Sequence, residues 1–308
     1  MHTPFHSPYP AKNRRARSAE ELDCLRLKRL LQLTFPNKHA PINIESISLD
    51  LKIALGAYIR SCADEGMSTL LPIGENRQPI RLSPDVDFSC SLVCRLYKAN
   101  IVQFDTQNTP PASISINAEN AVVVSIKSAF FIPNVAGVNG DLLSIKELSM
   151  NIESWLEPLS DDDVESIEEL WKELALHESL EYLNFVLGER DLPFKPGEKT
   201  RSVLELVLSR FSTSQAFYFI FSAAKNASDF FLSKKVSKHH AANTVPGKIQ
   251  NLFDRAVSEG WDVSKYARNY KACPPSALNN ILYDKVLKLP GIDYVPGAVL
   301  PGVEVRDE

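Results

Sequence analysis

Helical periodicity governs the chain from Asp141 to residue 289, and only a few points interrupt it. Ser160, followed by Asp161, Asp162 and Asp163, opens a long acidic helix running to Leu187, with Val164, Ile167, Trp171, Leu174 and Leu183 among its apolar positions. Acids at a helix start complement the macrodipole. The break KPGEK (195–199) ends this helix, and further helices are expected near 201–210, 214–236, 246–259 and 276–288. Pro246 and Gly260 bound the third of these, and Ser276, after CPP, caps the fourth. Residues 141–289 are therefore expected to form an all-helical domain. Within it, Phe217, Phe219 and Phe221 point in several directions around one turn, which implies a helix enclosed on most sides.

The preceding part of the chain reads differently. Residues 1–17, MHTPFHSPYPAKNRRAR, hold three prolines and four cations without periodicity, and are expected to be a disordered basic arm. A helix follows, with Ser18 as N-cap, Glu21 three residues on, and Pro36 as its stop; a second is expected from about Ser46 to Ala63. SPDVDFSCSLVCRLYKAN predicts a helix capped by Ser83 and ended by Asn100, and the strand Ile101–Phe104 follows at once. Two β-rich runs, Ser113–Ile116 and Ala121–Ile132, flank the turn sequence NAEN. Helix, strand and hairpin in that order are the back half of a winged helix. Residues 18–135 are thus expected to be an α+β, winged-helix-like module. Its groove helix begins with Asp85 and Asp87, whose charges repel phosphate, so a structural role is favoured over DNA reading.

PNVAGVNGD (133–141) is the expected domain boundary, and LPGIDYVPGAVLPGVEVRDE, with Pro-Gly three times, predicts an extended tail over 290–308. The fold class expected is mainly α with a small β portion. Five scattered cysteines and the lack of a signal-like apolar N-terminus predict a cytoplasmic protein. The most apolar run, AFYFIFSAA (216–224), is far below the ~20 residues that span a bilayer, so no membrane association is expected.

Net charge is −4, but it is segregated: residues 1–40 hold eight Lys/Arg against three acids, 150–199 four against fourteen, and 200–290 thirteen against six. Such asymmetry marks either a basic surface for an anionic ligand or acidic and basic surfaces that face each other inside the fold. The basic region centres on KKVSKHHAANTVPGKIQNLF (234–253). Its helix places Ile249, Leu252, Phe253, Ala256 and Val257 on one face and Lys248, Asn251 and Arg255 on the other. Lys and Arg neutralise phosphates and Asn reads an adenine edge. With Lys234, Lys235, Lys238, Lys265 and Arg268 nearby, these residues form the candidate nucleic-acid-binding set.

Other constellations are weaker. His239 and His240 are adjacent, so their side chains diverge and do not chelate one metal together. Cys90 and Cys94 share a helical face but lack a second ligand pair, and are expected in the core. Glu173, His177 and Glu181 align at four-residue spacing, as a salt-bridging solvated face. There is no Gly-rich phosphate loop followed by Lys-Ser/Thr and no G-x-S-x-G elbow, so the expectation leans away from an enzyme and includes no cofactor and no metal. The function expected is a non-enzymatic, nucleic-acid-associated protein acting on DNA or RNA. The alternative is an adaptor that docks other proteins through the acidic helix and the Pro-Gly tail.

Overall fold

Among the residues that the computed structural model describes (19–36, 39–75, 80–156, 160–288 and 291–293), the chain begins with helix α1 (Ala19–Thr34). The basic arm, Ser18 and, apart from a short turn at Gly291–Asp293, the Pro-Gly tail lie outside the described residues. Helices α2 (Leu49–Cys62) and α3 (Val86–Lys98) follow, then the short helices α4 (Ile145–Met150) and α5 (Ile152–Trp155). The C-terminal part holds α6 (Val164–Gly188), α7 (Glu198–Leu208), α8 (Thr213–Lys234), α9 (Lys238–Asn243) and α10 (Val245–Glu259). A last turn, α11 (Ala277–Asn279), passes directly into a π-helical segment at Asn280–Leu287. The fold is mainly helical with a small β portion, and among the described residues no helix is long and apolar enough to cross a membrane.

Among the described residues six short strands, β1 (Ile42–Asn43), β2 (Val102–Phe104), β3 (Ile114–Ile116), β4 (Val122–Val124), β5 (Phe131–Pro133) and β6 (Val135–Ala136), pair in three two-stranded ladders. The expected hairpin is β3–β4, with Ile114 opposite Val124. Its turn is held by the Asn117 side chain, which accepts from the amides of Glu119 and Ala121 at 3.0 and 2.8 Å. The second β-rich run does not continue as one strand. Ser125 turns the chain, and Phe131–Pro133 pairs antiparallel with β2 instead, because a run with apolar residues at successive positions can serve two different ladders. The glycine-containing segment expected as a boundary is itself structured: β6 pairs parallel with β1, and Gly140, at φ 83°, closes a turn back to Gly137.

Helix α3 begins two residues later than the sequence suggested. Asp85, not Ser83, is its N-cap, because the Asp85 carboxylate reaches the amide of Phe88 at 2.8 Å while the Ser83 hydroxyl is spent on the Asp85 carbonyl and on Ser89. Cys90 and Cys94 are half-buried on this helix rather than in the core, whereas Cys62 and Cys273 are buried. The end of α1, helix α3, β2 and β5 meet in an aromatic cluster, where Phe104 packs against Phe35, Tyr97 and Phe131 at ring-centroid distances of 4.9, 4.8 and 4.7 Å.

One buried apolar core runs without a break from Ile44 to Leu287, so the two parts of the chain share it. Helix α2 is one of the elements that join them. It packs on α3 and α4 and also on α6, α11 and the π-helical segment. Gly56 lets it approach: a Cβ there would lie 2.6 Å from the Ile152 side chain and 3.2 Å from that of Ile281. In the helical part, α8 packs against α6 and α10, and Tyr182 stacks on Phe217 at 4.1 Å. Phe217 and Phe219 are fully enclosed, while Phe221 is half-buried against Tyr266 and Arg190.

Candidate nucleic-acid interface

The cluster of lysines and histidines after α8 is a helix end, a turn and a new helix start. Helix α8 is opened by a capping box, in which Ser212 and Gln215 satisfy each other's backbone amides, and it ends where Lys235 takes the left-handed conformation (φ 51°, ψ 34°). Two residues later Ser237 caps α9 by accepting from the amide of His240 at 3.1 Å. Thr244 and Pro246 then start α10, which ends at Gly260, again left-handed at φ 66°. This sequence of caps folds the basic stretch back on itself, so that α9 and the first turn of α10 lie beside the last turns of α8.

The consequence is a convergence on Phe230. The Lys248 ammonium lies over its ring, 5.7 Å from the centroid, and the His240 ring packs at 5.8 Å. Lys234 is one helical turn further along α8 on the same side, and Lys234, Lys235, His239 and His240 are exposed. Leu232, between them in sequence, is 74% exposed. A half-buried aromatic ring beside lysines at an exposed helix end can contact a base while the lysines meet phosphates. Phe230 was not in the candidate set, although its position four residues before Lys234 was the signal for it.

The remaining candidates are dispersed. Asn251 is exposed one turn beyond Lys248 on α10. Arg255 sits at the far end of that helix, over the Trp261 ring at 4.9 Å and bonded to Glu259 at 3.3 Å. Lys238 pairs with Asp191, and Lys265 lies 3.8 Å from Asp293. These three are solvent-exposed pairs, weak enough to be exchanged for a ligand. Of the apolar face assigned to α10, Ile249, Phe253 and Ala256 are buried, but Val257 is 39% exposed.

Arg268 does not belong to the surface. Its side chain is buried against Glu178 of α6, which also accepts from the Asn279 amide at 2.8 Å and the Tyr283 hydroxyl at 3.2 Å. A carboxylate in the middle of a buried helix face needs a cation and donors, and Arg268 is the cation recruited. Burial lowers the Arg268 pKa and raises that of Tyr283.

The aligned row Glu173, His177 and Glu181 is a salt-bridging face, but it faces protein. Glu173 pairs with Arg95, His177 contacts the Asp85 carboxylate and stacks on Phe88 at 4.4 Å, and Glu181 holds Arg81 at 2.6 Å. All three partners lie on α3 or the chain just before it, so part of the charge segregation seen in the sequence is consumed inside the fold. Burial pushes the Glu181 carboxyl up, against the pull of Arg81. For Asp85 burial also pushes up, yet the His177 contact, the Phe88 amide and the charges of His177 and Arg201 together hold it below the usual carboxylate value.

Comparison of the chain with models of protein families, with characterised proteins and with solved structures gives no match.

Proposed function

We propose that this chain is a non-enzymatic, cytoplasmic, nucleic-acid-associated protein that holds single-stranded DNA or RNA against the basic end of its helical part, at Lys234, Lys235, Lys248 and Asn251 around Phe230. The observation that carries this reading is the placement of Lys248 and His240 on the half-buried Phe230 ring, with Lys234 one turn away. Cations supply sequence-independent affinity through phosphate neutralisation, and an aromatic among them supplies stacking to any base. Lys238, Arg255 and Lys265, each in an exposed pair, extend the cationic surface rather than centre it.

The order α3, β2 and the β3–β4 hairpin supports a winged-helix-like reading of residues 18–135. We give that module a structural role, since Asp85 at the start of α3 and Arg95 near its end are both engaged by α6. The adaptor reading draws less support, because Glu173, Glu178 and Glu181 of the acidic helix are occupied within the chain.

Binding of short single-stranded DNA and RNA, followed by fluorescence anisotropy across a salt series, tests the proposal. The double variant Lys234→Glu/Lys248→Glu should bind several-fold more weakly, with the slope of log K against log salt shallower by about 1 per lysine. Unchanged affinity and slope in a variant that melts like the parent would exclude this surface.

A further inference from the structure

A cavity of about 370 Å³ opens beside the buried Glu178–Arg268 pair, between the segment 268–275 and the π-helical wall. That volume is in the range of roughly 300–1,000 Å³ typical of small-ligand sites. Its floor is rigid for a definable reason. Arg268 donates to the Cys273 carbonyl at 3.3 Å while paired with Glu178, and Asn279, fixed in a capping box with Ser276, donates to the same carboxylate. Arg81 ties the loop from outside by donating to the Pro274 carbonyl at 3.1 Å. The floor of the pocket is therefore held by the fold itself.

The polar groups of the network are committed to one another, but three lining residues are not: Asn280, Tyr270 and Asp284, whose exposed carboxylate on the π-helical wall is a further acceptor for the N–H groups of a base. The side-chain amide of Asn280, the first residue of the π-helical turn, makes no hydrogen bond among the described residues. The Tyr270 ring stands at the rim with the residue 71% exposed. Pro275 and Ile292 provide apolar sides. Lys271, next in sequence to Tyr270, is exposed without a carboxylate partner among the described residues, and Lys265 has only its pair with Asp293. An amide offers a donor and an acceptor side by side, and a free aromatic ring offers a stacking face; together they match the edge and the plane of a nucleobase. Insertion of a π-helical turn, which re-aims side chains such as Asn280, is frequent at functional sites.

We infer that this cavity takes one unpaired nucleobase, stacked on Tyr270 and read by the Asn280 amide, with the attached phosphate toward Lys271. The same chemistry is carried by a free mononucleotide and by a base splayed from a single strand. Only the second source rests on the nucleic-acid reading of the basic end.

The test is titration of the full chain with adenosine, guanosine, cytidine and uridine 5′-monophosphates, and with ribose 5-phosphate as the base-free control, read by amide chemical shifts. At least one mononucleotide should saturate, with ribose 5-phosphate about tenfold weaker or worse, and Tyr270→Ala and Asn280→Ala should each weaken binding by about tenfold, the scale of one stacking contact or one bidentate pair. Tyr270 is exposed, so its variant reports binding without threatening the fold. Lys234→Glu/Lys248→Glu should bind mononucleotides as the parent does, which separates the pocket from the basic end. A short single strand that displaces the mononucleotide identifies the polymer as the source, and failure to displace identifies the free nucleotide. No saturable binding of any mononucleotide, equal binding of ribose 5-phosphate, or unchanged binding by both alanine variants would overturn the assignment.

Discussion

Arg268 and Glu178 form an ion pair from which water is almost wholly excluded: their side chains are 5% and 0% exposed. Ninety residues of chain and several helices separate them in sequence, and the pair joins the irregular segment after α10 to the middle of α6. A desolvated pair of this kind contributes little beyond what matched apolar residues would, but it makes each partner indispensable to the other.

Removing one partner should therefore be far worse than removing both. Glu178→Leu or Arg268→Met alone is expected to cost about 3–5 kcal/mol, and the double variant less than the worse single. Urea unfolding midpoints of the three proteins decide this. Single variants with near-parental stability would show that the pair is not desolvated in solution.

Acid should loosen the contact between α3 and α6 through Asp85. Its folded-state pKa lies below the ordinary 3.8, so its stabilising effect is fully present above that value and is lost as pH falls below 3.8 through the folded value. Asp85→Asn keeps a good N-cap but removes the charge facing His177. The variant should be less stable than the parent at neutral pH, and the difference should shrink below pH 3.8. A gap that stays constant over the whole acid limb would contradict the role given to the carboxylate.

Helix α8 should be sensitive at Phe219 and tolerant at Phe221. Phe219 has no exposed surface and packs on Phe211 at 5.2 Å, so Phe219→Ala is expected to cost about 3–5 kcal/mol. Phe221 is half-buried, and the same change there should cost distinctly less. Thermal or denaturant melts give the comparison, and equal losses would mean that α8 is enclosed on both sides.

Alkylation should divide the cysteines by burial. Burial pushes the Cys62 thiol up to about 12 and that of Cys273 to about 11, whereas Cys24 is exposed on α1. In the native protein at neutral pH, iodoacetamide should modify Cys24 first and leave Cys62 and Cys273 untouched until denaturant is added. Mass mapping of the modified peptides checks the order.

Much of the helical part was legible because its boundaries are local: a proline, a capping serine or a glycine at 246, 276 and 260 acts within its own turn. The β3–β4 hairpin was legible for the same reason, through Asn117. What could not be read were partnerships across the chain. Arg268 sits among lysines in sequence and reads as surface, and nothing local reveals that Glu178 lies opposite it. The row Glu173, His177 and Glu181 announced its geometry but not that Arg95, Asp85 and Arg81 would complete it. Likewise the π-helical turn at Asn280, which packs on α2, has no mark in the helical periodicity of the sequence.

The position of α2 also has a consequence for synthesis on the ribosome. Its apolar face is covered in part by α11 and the π-helical segment, which lie roughly 200 residues further along the chain. At roughly 5–20 residues per second, that leaves the face of α2 waiting for roughly ten to forty seconds after it emerges. During that interval the part of α2 around Gly56, which meets Ile281 in the finished fold, lacks its native cover, and a chaperone that binds short apolar stretches would find its site there before anywhere in the later helices.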